Sequence, residues 1–181
     1  MQQLQKASLV LTLGKRLQSH GSWTGETHVQ KATYFLQELL RVPTDFEFIL
    51  YKHGPFSFDL RELLSSMEAD HFIRWQPQYP YGPSLVPGES ADQLLRQFPA
   101  KPREYGVQIE FIARKLAPHR VADLEKLATA LYVTHESSRT PRERAARICE
   151  LKPHISVAEA QRAVAELEEL IEEARPAILP D

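Results

Sequence analysis

The stretch Phe46-Glu47-Phe48-Ile49-Leu50-Tyr51-Lys52-His53-Gly54-Pro55-Phe56-Ser57-Phe58-Asp59-Leu60 decides how this chain is read. Phe46, Phe48 and Leu50 recur at every second position in a run rich in aromatic and branched residues, which predicts a short strand. Gly54 can adopt backbone angles closed to other residues, and Pro55 fixes its own φ, so Lys52 to Pro55 breaks the run. Ser57 is placed to cap a helix, with Asp59 in the first turn and Phe58, Leu60, Leu63, Leu64 and Met67 as its apolar positions. The expectation is a strand turned directly into a helix cap, with Tyr51, Phe56 and Phe58 packed around the corner. Such a corner is either a rigid, semi-exposed partner surface with Lys52 and His53 as polar heads, or simply a well-specified strand-to-helix junction.

Upstream of this stretch the apolar period is helical. Leu4, Ala7, Val10, Leu13 and Leu17 share a face and Gly21 stops the first helix; a second is expected over about Thr27 to Leu40, with Pro43 as a breaker. Downstream, Phe72 to Trp75 and Ser84 to Val86 read as two short strands. Helix, strand, turn and strand is the order of a winged-helix module. Ser90 with Gln93 suggests a capping box for a short helix ending near Phe98, and a Pro99 to Pro102 break leads to a helix over about Glu104 to Leu116. Further helices are expected over Val121 to His135, after the Thr140-Pro141-Arg142-Glu143 start signal, and from Val157 to Ala174 behind a Ser156/Glu159 capping box. The sum is a mostly α (α+β) chain of six or seven helices and about three short strands. Residues 1–98 would form a helical, winged-helix-like module and 99–181 a C-terminal helical subdomain, packed as one unit.

Composition narrows the function. The chain has 181 residues, with 22 basic against 24 acidic side chains, a net charge of −2 and a pI near 6.4. The strongly basic balance of a dedicated duplex-DNA binder is missing. One cysteine, Cys149, leaves no disulfide framework and no Cys-rich zinc site. None of the seven histidines is three or four residues from another, so no metal-ligand spacing exists and neither metal nor cofactor is expected. There is no Gly-x-Ser-x-Gly elbow, no Gly-rich phosphate loop, and no apolar run of membrane-spanning length. Glu166, Glu168, Glu169, Glu172 and Glu173 read first as a solvated helix face, and second as an acidic surface for a basic partner. With no leader signal in Met1 to Lys6, a cytoplasmic location follows by default.

Two further groups are candidates for contact. Gln30 and Tyr34 share a helix face with Lys31 beside them, a set suited equally to recognition or to bonding buried backbone. Trp75, Tyr79 and Tyr81 lie in or next to a proline-rich turn; six of the thirteen prolines fall at 77, 80, 83, 87, 99 and 102. Aromatics held by prolines give contact area at low entropic cost, for a protein or for unpaired bases.

Val29-Gln30-Lys31 with Tyr34-Phe35-Leu36, then His53-Gly54-Pro55-Phe56-Ser57 with Asp59-Leu60 and Leu63-Leu64, resemble the YwgA family; Leu124 to Leu131 followed by Lys152-Pro153-His154-Ile155-Ser156 resembles that family's helix junction. The same signature is similar to the Panacea-type antitoxin domain. With Glu68 to Arg74, it also resembles the toxin-binding domain of the DarG antitoxins that accompany DarT toxins. The resemblance implies a non-catalytic domain that binds and restrains a partner protein, a toxin or effector encoded nearby. Its contact residues would be Gln30, Lys31, Tyr34, Tyr51, Lys52, His53, Gly54, Pro55, Phe56, Trp75, Tyr79 and Tyr81. A winged-helix nucleic-acid binder is the alternative. An enzyme is the third, and would require His53, Lys31 and Glu47 to converge in a pocket.

Overall fold

The computed structural model describes residues 1–79, 82–136 and 140–180. The chain is mostly helical (65%), with nine α-helices and two antiparallel hairpins among the described residues. The helices are α1 (Gln3–Ser19), α2 (Glu26–Glu38), α3 (Phe58–Ala69), α4 (Ala91–Gln97), α5 (Ala100–Glu104), α6 (Gly106–Leu116), α7 (Val121–Glu136), α8 (Pro141–Leu151) and α9 (Val157–Ala174). The strands are β1 (Ile49–Tyr51), β2 (Gly54–Phe56), β3 (Ile73–Gln76) and β4 (Ser84–Pro87).

Local chemistry explains most of the boundaries. The Thr140/Glu143 and Ser156/Glu159 capping boxes are both formed, opening α8 and α9 at the expected residues. The Ser57 hydroxyl accepts the Leu60 N–H at 3.2 Å and opens α3. Gly21, at φ 85°, follows α1 where the reading placed its stop. Ser90 departs from expectation: its side chain makes no cap bond to α4. The Pro99 to Pro102 break is also helical. Pro99 supplies the cap position and Pro102 sits in the first turn of α5, where a proline loses nothing because those N–H groups lack intrahelical partners.

The main departure is the hairpin. The strand begins at Ile49 rather than Phe46, and Gly54-Pro55-Phe56 is a second strand paired with it: Ile49 faces Phe56, Leu50 faces Pro55 and Tyr51 faces Gly54. Lys52 and His53 make the turn, and Gly54 follows it at φ 82°, a left-handed angle that glycine adopts without strain. Pro55 has no N–H to give to the ladder and falls opposite Leu50, between the two flanking pairs. Phe46 is pulled out of strand pairing by Gln37 of α2. The Gln37 side chain accepts the Phe46 N–H at 2.9 Å and donates to the Phe46 carbonyl at 3.0 Å. The second hairpin follows α3 as expected, with Ile73 facing Pro87 and Trp75 facing Leu85.

Two apolar cores hold the elements together. The smaller joins α1, α3, α4 and the second hairpin through Val10, Leu11, Leu60, Leu64, Met67, Ile73 and Leu85. The larger runs from Leu9, Leu13, Phe35 and Leu36 through Ile109, Ile112, Leu127 and Leu131 to Val164 and Leu167. It therefore crosses residues 98 and 99 without interruption, with α1 and α2 packed on α6 and α7.

Candidate functional site

The first hairpin lies against α2 and α7, held by side chains from three helical segments. Gln30 and Gln37 are seven residues apart on α2, hence on one face, and act alike. The Gln30 carboxamide donates to the Ser57 carbonyl at 2.9 Å and accepts the Ser57 N–H at 3.0 Å. α2 thereby offers this part of the chain the pairing that a third strand would supply. Lys31 is 1% exposed, and its ammonium donates to the Pro55 carbonyl at 2.7 Å. Lys152, immediately after α8, reaches the same hairpin from the other end of the sequence. Its ammonium donates to the Lys52 carbonyl at 2.7 Å and to the Tyr51 carbonyl.

Glu125 of α7 is the acidic member of this group. It is buried, with Lys152 3.8 Å from its Oε1, His154 Nε2 3.2 Å from that oxygen, and His53 Nδ1 3.5 Å from Oε2. Desolvation pulls the Lys31 ammonium down to about 8, partly opposed by the Glu125 charge, and shifts Lys152 downward for the same reasons. Gly54 fits because it has no side chain: a Cβ there would lie 3.2 Å from Thr129 Oγ1 and 3.3 Å from the Glu125 carbonyl. The turn is thus pressed onto α7 and pinned at three of its carbonyls by buried ammonium groups.

The outer face of the hairpin is aromatic and open. Tyr51 (42% exposed), the half-buried Phe56 and Phe58 (47% exposed) form a three-ring cluster with centroids 5.1 to 5.7 Å apart. Ile49, facing Phe56 across the ladder, is exposed beside them. Arg61 stands 5.6 Å above the Phe56 ring and Lys52 6.0 Å from that of Tyr51.

The structure sorts the residues singled out from the sequence into two sets. Tyr51, Lys52, His53 and Phe56 reach the surface of this hairpin. Gln30, Lys31, Tyr34, Gly54 and Pro55 are buried rather than at the surface, and Gln30, Lys31 and Gly54 fix the backbone that carries the exposed rings. Tyr34 packs edge-on against Phe48 at 5.0 Å, and burial pushes its phenol well above the usual range. Trp75 is half-buried against the smaller core, Tyr79 is fully exposed, and Tyr81 lies outside the described residues.

Sequence reasoning missed Glu125 and Thr129, and gave Lys152 and His154 no role. Glu125 follows Leu124 and lies four residues before Thr129 on α7, but with the exposed Asp123 and the half-buried Lys126 in the same helix nothing in the sequence marked it as the buried carboxylate. Four members of the α9 glutamate run are paired: Glu166 with His119, Glu168 with Arg144, Glu172 with Arg175 and Glu173 with Lys115. Among the described residues no three His, Cys, Asp or Glu side chains are grouped to hold a metal ion. No helix among them is long and apolar enough to cross a membrane. A cleft of about 800 Å³ opens elsewhere, lined by Trp23, His28, His119, Arg120 and Val121; Lys31, Glu47 and His53 are not on its walls.

No protein-family model matches the chain, and no curated protein matches it.

Proposed function

We propose that this chain is a non-catalytic protein-interaction domain, antitoxin-like or regulatory, that binds and restrains a partner through the β1–β2 hairpin. The observation that carries this reading is the cluster of Tyr51, Phe56 and Phe58, open to solvent on a hairpin whose backbone is immobilised by Gln30, Lys31 and Lys152. Aromatic anchors on a pre-organised backbone lose little conformational freedom on binding, which is what an interaction hot spot needs. The resemblance to YwgA-like, Panacea-type and DarG sequences supports the same reading and makes a DarT-type toxin encoded next to this chain the first partner to test.

The test is co-expression with the product of the adjacent gene. Co-purification and rescue of its toxicity are expected, and both should be lost with Tyr51→Ala plus Phe58→Ala in a chain that keeps its melting temperature. A partner that never co-purifies, or one indifferent to the double variant, overturns the proposal. Tyr79, fully exposed on the second hairpin, favours a second reading as a nucleic-acid binder. Binding to single-stranded and duplex DNA with a steep salt dependence would support that reading, and undetectable binding would remove it.

A further inference from the structure

The charges under the hairpin do not balance. Two ammonium groups, Lys31 and Lys152, are buried there with one carboxylate, Glu125. Both ammoniums give hydrogens to backbone carbonyls of the hairpin, and a carbonyl eases the burial of a cation without cancelling its charge. The exposed Lys52 adds a second positive charge at the turn. His53 and His154, 71% and 61% exposed at their side chains, flank the entrance to Glu125 as further donors. Arg61, beside the rings, is matched by Glu26 at 3.2 Å. Asp59 and Glu62 line a concavity with Met1 and Lys6, at the start of α1. Glu47 lies four residues before Tyr51, ahead of β1. An apolar ring cluster is thus bordered on one side by a positive hairpin tip whose buried part is poorly screened by salt.

We infer that the partner's docking element is an acidic segment with an apolar side chain. Its carboxylates meet Lys52, His53 and His154, and its apolar residue seats on Tyr51, Phe56 and Phe58. The inference rests on the interaction-domain reading above and adds the chemistry of the partner.

Fluorescence anisotropy of the full chain with three labelled peptides tests it: Glu-Asp-Glu-Phe-Leu-Glu-Asp, the same peptide with serine for every acid, and the same with lysine for every acid. The acidic peptide should bind saturably and at least about tenfold more tightly than the serine peptide, and the lysine peptide should not bind. Its affinity should fall severalfold between about 50 and about 300 mM salt, and Lys52→Glu should weaken it at least about fivefold. Tyr51→Ala should abolish binding of every peptide. Equal binding of the acidic and serine peptides, or indifference to Lys52→Glu in a folded variant, overturns the acidic preference. If Tyr51→Ala still abolishes that equal binding, the interaction face survives alone. Binding of none of the three also overturns the inference, and the co-purification result then decides the reading beneath it.

Discussion

Lys31 is among the largest of the fully buried side chains, and its charge makes a residue-scale signature that can be measured. Its pKa is held near 8, below the 10.5 of an exposed lysine, so between those values the unfolded chain holds a proton that the folded chain has released. Raising pH through this window therefore stabilises the fold, by about 2 kcal/mol between about pH 8 and about pH 10. Tyr34 acts in the opposite sense. Its pKa is raised by burial, so above about pH 10 the unfolded state ionises first and stability declines. Urea unfolding across this range should show the rise and then the fall, and Lys31→Met should shrink the rise to the part that Lys152 contributes while leaving the fall. Lys31→Met also strands the Pro55 carbonyl, and Gln30→Ala strands the Ser57 N–H, while the Ser57 carbonyl keeps the Arg61 N–H at 3.2 Å. The second change should cost about 1 to 3 kcal/mol, since a buried group left without its partner keeps its full desolvation cost. None of this was legible locally: a glutamine and a lysine in an apolar helix announce a buried polar contact, but their acceptors lie 27 and 24 residues away.

At the scale of elements, what could be read was what local chemistry sets. α9 begins behind Ser156, as its capping box requires, and α8 behind Thr140 with Pro141 at its first position. Glu159 sits at the end of that logic. The Ser156 hydroxyl and backbone N–H, with Lys126 beyond, hold its carboxyl down to about 2. Stability linked to Glu159 is present above the ordinary carboxylate range and is lost as pH falls toward about 2. NMR titration should find this low value, and Ser156→Ala should raise it toward the ordinary range while lowering stability by about 1 kcal/mol. What could not be read was the β2 strand. Gly-Pro-Phe has little strand character, and these residues become a strand because Gly54 is the one residue that fits over Thr129 and the Glu125 carbonyl at a left-handed angle. Gly54→Ala should therefore destabilise the chain by about 2 kcal/mol or more, read as a lowered melting temperature. Thr129→Ala should relieve little of that loss, because the backbone contact and the angle both remain.

At the scale of the whole molecule, the mostly helical class with small hairpins was legible from apolar periodicity. The larger core holds Leu13, Phe35 and Leu36 from before residue 98 together with Ile112, Leu127 and Leu131 from after it. A fragment ending at residue 98 would expose those side chains of α1 and α2. It should bind 1-anilinonaphthalene-8-sulfonate and lack near-ultraviolet circular dichroism, whereas two fragments that each folded would divide the chain into domains. The same connectivity has a consequence in time. The hydrogen bond from Lys152 to the Lys52 carbonyl closes a span of 100 residues, and Glu125 enters between its ends. On a ribosome adding about 5–20 residues per second, the aromatic hairpin is therefore made some 5–20 s before the lysine that anchors it. For that interval a nascent chain has the rings without the rigid frame that presents them. Engagement of a partner would begin only once the C-terminal helices have emerged and docked, so a prematurely terminated polypeptide would carry the recognition residues and not the recognition.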